Sequence, residues 1–248
     1  MIDIFCLENK HIVVTGASSG IGRETAILLS RLGAKVSIVA RRENALKDTV
    51  EAMEGMGNRY FAFDLSDTEN IGGLVDEIVN SAGPVDGLIH CAGIGANIPV
   101  SVTKTAALET LMKTNFYSFA ELIRLFSKKK NFNKGASFVG VSSVASFKGD
   151  KTQGAYAASK AAMNAYIHPA AKELADKGIR VNTVAFGVIR TEAYEKFLES
   201  GGQDSALKDQ YLGYGEPIDA ANLLVFLASN ASRLITGSTI VCDGGYTS

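Results

Sequence analysis

Seven short runs of β-branched and apolar residues recur along this chain, and a longer helical pattern follows almost every one. No other feature restricts the fold as strongly. A strand buried on both faces reads as an unbroken apolar run, and strands joined through helices must lie parallel. The runs are His11–Thr15 ("HIVVT"), Lys35–Ala40 ("KVSIVA"), Arg59–Leu65 ("RYFAFDL"), Asp86–Gly93 ("DGLIHCAG"), Ala136–Ser143 ("ASFVGVSS"), Ile179–Ala185 ("IRVNTVA") and Ser238–Asp243 ("STIVCD"). Helices are expected over Gly20–Leu32, Glu43–Met56, Thr105–Lys130, Gly154–Lys177 and Ala220–Ser229. Another should run from a cap at Ser66 to Ala82. The expected fold is α/β: one domain over residues 1–248, a doubly wound sandwich on a seven-stranded parallel sheet. Residues 200–205, "SGGQDS", read as a loop.

Composition narrows the function classes. A net charge of -1 gives no general pull toward nucleic acid or an anionic membrane. No apolar stretch reaches the ~20 residues that span a bilayer, so no membrane partner is expected. The opening "MIDIFCLENK" lacks the basic start and apolar core of a secretory leader. Cys6, Cys91 and Cys242 are far apart, which suggests reduced, mostly buried thiols in a cytoplasmic protein. His11, His90 and His168 show no metal-ligand spacing, and no metal is expected.

Two motifs carry chemistry. In "VVTGASSGIGRE", Gly16, Gly20 and Gly22 lie between the first strand and the first helix. There, backbone approaches a pyrophosphate closely and the amides of a helix N-terminus meet anionic oxygen. In "GAYAASKAA", Tyr156 and Lys160 lie four residues apart, on one face of a helix otherwise built of small residues.

These motifs resemble the classical short-chain dehydrogenase/reductase family, whose cofactor loop has the form Thr-Gly-x-x-x-Gly-x-Gly, here from Thr15 to Gly22. The resemblance runs the length of the chain. Asp64 and Leu65 match the pair that touches the adenine, and "HCAG", His90–Gly93, stands where Asn-Asn-Ala-Gly is usual. Asn115 stands where the family keeps an asparagine. Ser143, Tyr156 and Lys160 match its Ser, Tyr-x-x-x-Lys set with the usual thirteen-residue step. The resemblance implies a Rossmann-type domain binding a nicotinamide cofactor. The contacts implied are Gly16, Ser18, Ser19, Gly20, Ile21, Gly22, Asp64, Leu65, Ala92, Gly93, Tyr156, Lys160, Gly187, Val188, Ile189 and Thr191. Val188 or Ile189 would meet the carboxamide through the main chain. Asn115 would hold a water linked to Lys160, although a polar residue satisfying a helix irregularity explains it nearly as well.

The end of the second strand bears on which cofactor binds. An acid there would hold the adenine ribose hydroxyls, but this chain has Ala40 followed by Arg41 and Arg42. Guanidinium groups suit a 2′-phosphate, which favours NADP(H) by roughly ten- to a hundredfold. Arg41, nearer the strand end, is the stronger candidate, with Ser18 or Ser19 adding a hydroxyl.

Carbonyl reduction needs a hydride on carbon and a proton on oxygen. Tyr156 reads as the proton donor and Lys160 as the charge that lowers its pKa. Ser143 would polarise the substrate oxygen; Ser142 competes, but strand alternation sends the two serines to opposite faces. Three departures from the family pattern stand out. His90 and Cys91 replace asparagines, with a sheet-supporting or a catalytic role open to His90. Phe186 replaces a proline and is expected to reshape the nicotinamide end of the pocket. Tyr214 replaces a frequent arginine.

Ile94–Ser101 and a lid over residues 190–214 should grip the substrate, a small carbonyl or alcohol compound. The resemblance is nearest to the β-ketoacyl-acyl carrier protein reductases, which implies an acyl-carrier-protein-bound substrate and a homo-oligomer, dimer or tetramer, packed through Thr105–Lys130 and Gly154–Lys177. A sugar, steroid or secondary-metabolite ketone remains open, as does a catalytically silent NADP-binding regulator. A sugar-nucleotide epimerase of the extended branch fits the chain length and glycine spacing less well.

Overall fold

In the computed structural model, which describes residues 5–199 and 207–248, strand β1 (His11–Thr15) is buried at every position. Its side chains alternate between two cores, as the two-residue period of a strand requires. Val13 packs with Leu88 and Phe138 on one side of the sheet; Ile12 and Val14 pack with Ile89 and Val139 on the other. The remaining strands are β2 (Lys35–Ala40), β3 (Arg59–Ala62), β4 (Val85–His90), β5 (Phe132–Ser143), β6 (Arg180–Phe186) and β7 (Thr239–Cys242). All pair in parallel, in the order β3-β2-β1-β4-β5-β6-β7. The seven-stranded, doubly wound sheet expected from the sequence is present.

Helices α1 (Gly20–Arg31), α2 (Glu43–Glu51) and α8 (Pro217–Ala228) cover one face of the sheet. Helices α3 (Ile71–Ala82), α5 (Ser118–Phe126) and α6 (Gly154–Leu174) cover the other. Helix α4 (Thr105–Met112) leads into α5 through a π-helical turn at Lys113–Tyr117. Helix α7 (Glu192–Glu199) lies in the lid region. Between β1 and β4 the strand order reverses, so the loops leaving their carboxyl ends diverge and open a cleft.

Several boundaries differ from the sequence expectation. Strand β3 stops at Ala62 because the chain turns at Asp64, whose Oδ1 accepts hydrogen bonds from the main-chain N and the hydroxyl of Ser66. Ser66 therefore caps no helix, and α3 starts only at Ile71. Helix α2 ends at Glu51, ahead of Gly55 and Gly57, both with left-handed φ. The expected helix over Thr105–Lys130 is interrupted by the π-turn and ends at Phe126. Cys6 is exposed rather than buried, and all three cysteines are free thiols. The expected loop at residues 200–205 lies outside the described residues.

Phe138 lies at the centre of the core under α5 and α6 and is fully buried. Phe138→Ala is expected to lower stability by about 3–5 kcal/mol, measured as a fall in the urea unfolding midpoint with an unchanged slope.

Candidate active site

The cleft over the carboxyl ends of the central strands has a volume of 440 Å³. Gly16, Ser18, Ser19, Gly20, Ile21 and Gly22 line it from the β1–α1 turn, Arg41 and Arg42 from the end of β2, and Asp64 and Leu65 from beyond β3. Ala92 and Gly93 line it after β4, and Thr191 from the lid side. Thr114 of the π-turn and Glu192 and Lys196 of α7 also line the cleft, and sequence reasoning missed all three. Helix α7 carries apolar residues at helical spacing, Ala193, Tyr194, Phe197 and Leu198, but buries none of them.

The lining fits a nicotinamide dinucleotide. At Gly16, where φ is +67°, a Cβ would stand 2.7 Å from the Ala92 nitrogen, so the backbones of the two loops touch. Ser19 begins α1 without a side-chain cap, which leaves the positive end of a twelve-residue helix facing the cleft. The Ser19 hydroxyl instead accepts from Arg42 at 3.0 Å, and the Ser18 hydroxyl does so at 3.2 Å. Arg42, the weaker candidate of the sequence reading, is thus the arginine already seated on the serines. Arg41 acts on Asp64, whose carboxyl is held below its usual range chiefly by the Ser66 N–H.

Ser143, Tyr156 and Lys160 do not line that cleft but lie behind Gly93, where a Cβ would stand 3.2 Å from Lys160 Nζ; β5 ends at Ser143, whose hydroxyl accepts from Ala145 N at 3.2 Å. Ser142 points elsewhere, its hydroxyl 3.4 Å from the main-chain carbonyl of Lys160. Lys160, one helical turn beyond Tyr156, is only 4% exposed. Its ammonium donates to the Val141 carbonyl at 2.7 Å and lies 6.0 Å from the Tyr156 ring centroid. Burial lowers the Lys160 pKa to about 8. Burial also raises Tyr156, and the bond from Ser143 only partly offsets it. The Lys160 ammonium is thus held on the Val141 carbonyl, one helical turn from the phenol.

Asn115 is buried within the π-turn. Its Oδ1 accepts from Ile94 N at 2.8 Å; its Nδ2 donates to Ile94 O at 3.0 Å and to Ser159 Oγ at 2.9 Å. Ser159 passes the link on to the Tyr156 carbonyl at 2.7 Å. Asn115 thus sits in a helix irregularity and also joins the loop after β4 to the Tyr156 helix. A Cβ on Gly93 would lie 3.2 Å from both Asn115 Oδ1 and Lys160 Nζ, so that loop runs directly over them. Sequence reasoning missed Ser159, whose only signal is its place beside Lys160 among alanines.

Gly187 follows β6, and the two carboxamide candidates come after it. The Val188 N–H donates to Gln210 Oε1 at 2.8 Å, and its carbonyl accepts from Gly215 N at 3.0 Å. With Arg190 N donating to Gly215 O, these bonds form a parallel bridge centred on Ile189. Ile189's own N–H and C=O point away from Gly215, which leaves Ile189 the better placed of the two. Phe186 does not reshape the pocket: it is buried in the core shared with α1 and α8. Tyr214 lies under the Arg190 guanidinium, 5.0 Å from ring centroid to Cζ.

His90 is fully buried, and both its ring nitrogens are engaged. Ser118 donates its hydroxyl hydrogen to Thr114 O at 2.7 Å, so it must accept from His90 Nε2–H at 3.3 Å. His90 Nδ1 then accepts from Thr15 at 2.9 Å, and Thr15 accepts from Ala92 N at 3.2 Å. Each hydrogen in this chain has one consistent direction, which assigns the neutral Nε2–H tautomer. His90 ties β1 to the π-turn and has no nitrogen left for catalysis. Among the described residues no group of three or more His, Cys, Asp or Glu side chains is arranged to hold a metal ion. Among them, too, no helix is long and apolar enough to cross a membrane.

Burial lowers the His90 pKa to about 3. Between that value and about 6.5 the unfolded chain binds more protons than the folded one. Stability is therefore lost as pH falls through this window, and His11, also lowered by burial, adds in the same direction. His90→Asn is expected to remove on the order of 2 kcal/mol of the stability difference between about pH 7 and pH 5, read from melting temperatures across that range.

Comparison with known proteins agrees with this geometry. A family model described as enoyl-(acyl carrier protein) reductase matches residues 16–247. A 3-oxoacyl-[acyl-carrier-protein] reductase of Thermotoga maritima is 33% identical over 242 residues, covering 96% of this chain and 98% of the relative. An NADP-dependent (R)-specific alcohol dehydrogenase of Lentilactobacillus kefiri is 35% identical over 246 residues, with 97% and 98% covered. A solved short-chain dehydrogenase/reductase from Brucella melitensis, described as a glucose/ribitol dehydrogenase, superposes with a TM-score of 0.91 at 27% identity, covering 98% of this chain and 99% of that one. With the sheet order, the glycine turn and the Ser143, Tyr156 and Lys160 cluster already in place, the chain belongs to the short-chain dehydrogenase/reductase family of nicotinamide-dependent oxidoreductases.

Proposed function

We propose that this protein is an NADP(H)-dependent carbonyl reductase acting on a 3-oxoacyl thioester carried by acyl carrier protein. The observation that carries this reading is the cluster of Ser143 at the end of β5, Tyr156 on α6 and the buried Lys160 one helical turn beyond it. Two hydroxyl groups set side by side suit a carbonyl oxygen, which takes one hydrogen bond from Ser143 and a proton from Tyr156. Bound NADPH supplies the hydride to the carbonyl carbon. The Lys160 ammonium offsets the charge left on the Tyr156 oxygen. Asn115, through Ser159, holds the first turn of α6 so that the phenol keeps its place. The family description names reduction of a carbon–carbon double bond, but a hydroxyl pair of this kind serves an oxygen.

Arg42, Ser18 and Ser19 form a donor set for the 2′-phosphate, joined by Arg41. Relatives named for 3-oxoacyl-acyl carrier protein reduction and for NADP dependence support the same reading. The described parts of the lid region, residues 190–199 and 207–214, stand beside the cleft and would face the acyl part of the substrate. Its aromatic group supports that role: Tyr194 packs on Phe197 and Tyr214, at 6.2 and 5.5 Å between centroids. A cytoplasmic homo-oligomer completes the proposal, with the exposed Leu108 and Tyr117 of the α4–α5 segment at its contact face.

Tyr156→Phe is expected to cut turnover by at least about 10²-fold while NADPH binding by fluorescence titration persists; near-normal turnover would refute the mechanism. Arg42→Ala is expected to shift the NADPH-over-NADH preference in kcat/KM about tenfold toward NADH, and an unchanged ratio would remove Arg42 from the phosphate site.

A further inference from the structure

The returning limb of the lid carries one side chain that neither the glycine turn nor the Ser143, Tyr156 and Lys160 cluster accounts for. Gln210 is 4% exposed, although it belongs to an irregular surface segment. Its Oε1 accepts from Val188 N at 2.8 Å, and its Nε2 donates to Val188 O at 3.1 Å and to Gly213 O. The amide therefore pairs with both the N–H and the C=O of one residue, as a neighbouring strand would. Both amide hydrogens have acceptors, and turning the amide over would set its NH₂ against the Val188 N–H.

The slot around this side chain is built for it. A Cβ on Gly244, where φ is +58°, would stand 2.9 Å from Gln210 Cγ. A Cβ on Gly187 would collide with Gln210 Oε1 and stand 2.9 Å from Asp243 Cα. Beside the slot, Leu212 N donates to Gly244 O at 3.1 Å, which seats the limb on the C-terminal turn. That turn is joined in its own right to the segment between Ser143 and Tyr156, because the Lys148 ammonium donates to Tyr246 O at 3.0 Å and lies 4.4 Å from the Tyr246 ring centroid.

We infer that Gln210 is a positioning residue: its amide locks the main chain at Val188, holds Ile189 toward the nicotinamide end of the cleft, and fastens the lid to the same point. This rests on the reading of the cleft as an NADP(H) site. A side chain acting there touches only the nicotinamide half of the ligand and leaves the adenine half, some strands away at Ser18, Ser19 and Arg42, undisturbed.

The test is calorimetric titration of the full-length protein with two ligands, NADPH and adenosine 2′,5′-bisphosphate, the fragment without the nicotinamide end. Gln210→Met keeps the length of the side chain and removes its amide. It should weaken NADPH about tenfold, the equivalent of ~1.4 kcal/mol, and leave the fragment within about twofold of wild type. Gln210→Glu keeps an acceptor for Val188 N–H but sets carboxylate oxygen against two carbonyls, and it should weaken NADPH further, again sparing the fragment. Equal weakening of both ligands would mark a merely structural role and overturn the inference, as would unchanged NADPH affinity. Failure of the cofactor reading itself looks different: the wild-type protein would then bind neither ligand.

Discussion

A buried ammonium sets the geometry of this molecule. Lys160 has almost no contact with solvent, and a charge taken out of water is costly unless a strong acceptor meets it. The acceptor is the Val141 carbonyl, two residues before β5 ends at Ser143. Fixing Lys160 on that carbonyl fixes α6 against the sheet, and one turn of helix then sets Tyr156 beside Ser143. With its pKa drawn down to about 8 by burial, Lys160 still carries its proton at neutral pH, which is the state the proposed chemistry uses.

Two polar networks keep this arrangement in register with the cleft. One runs from Ala92 through Thr15, His90 and Ser118 to the π-turn. The other runs from Ile94 through Asn115 and Ser159 to the Tyr156 carbonyl. Both meet in the π-turn, where one extra residue per turn frees main-chain groups and turns Asn115 inward. The glycine loop, the floor of the cleft and the Tyr156 helix are thereby coupled, although they come from distant parts of the chain.

How far the sequence was legible follows from the same physics. The strands were readable because burial on both faces leaves a continuous apolar run, and the parallel, doubly wound arrangement followed from strands alternating with helices. The glycine turn and the Tyr156–Lys160 pair were readable because each compresses its geometry into a few adjacent residues. The π-turn was not: "MKTNFYS" contains no breaker, so nothing separates it from ordinary helix. The start of α3 was misplaced because the Asp64–Ser66 turn uses the same residue types as a helix cap. Gln210 escaped because its partners lie 22 residues earlier and just beyond it in an irregular segment. His90 showed itself only as a departure from the family pattern; its partners, Thr15 and Ser118, stand 75 and 28 residues away.

The central claim is that the buried Lys160 and the Ser143–Tyr156 pair together protonate a carbonyl oxygen. The most direct measurement is NADPH oxidation by the purified wild-type protein against 3-oxoacyl thioesters, ketosteroids, small diketones and keto sugars. Steady turnover that requires a carbonyl compound, with the highest kcat/KM on the 3-oxoacyl thioesters, is the predicted result. Tight NADPH binding without turnover on any carbonyl compound would contradict the account and leave a cofactor-binding protein without the chemistry.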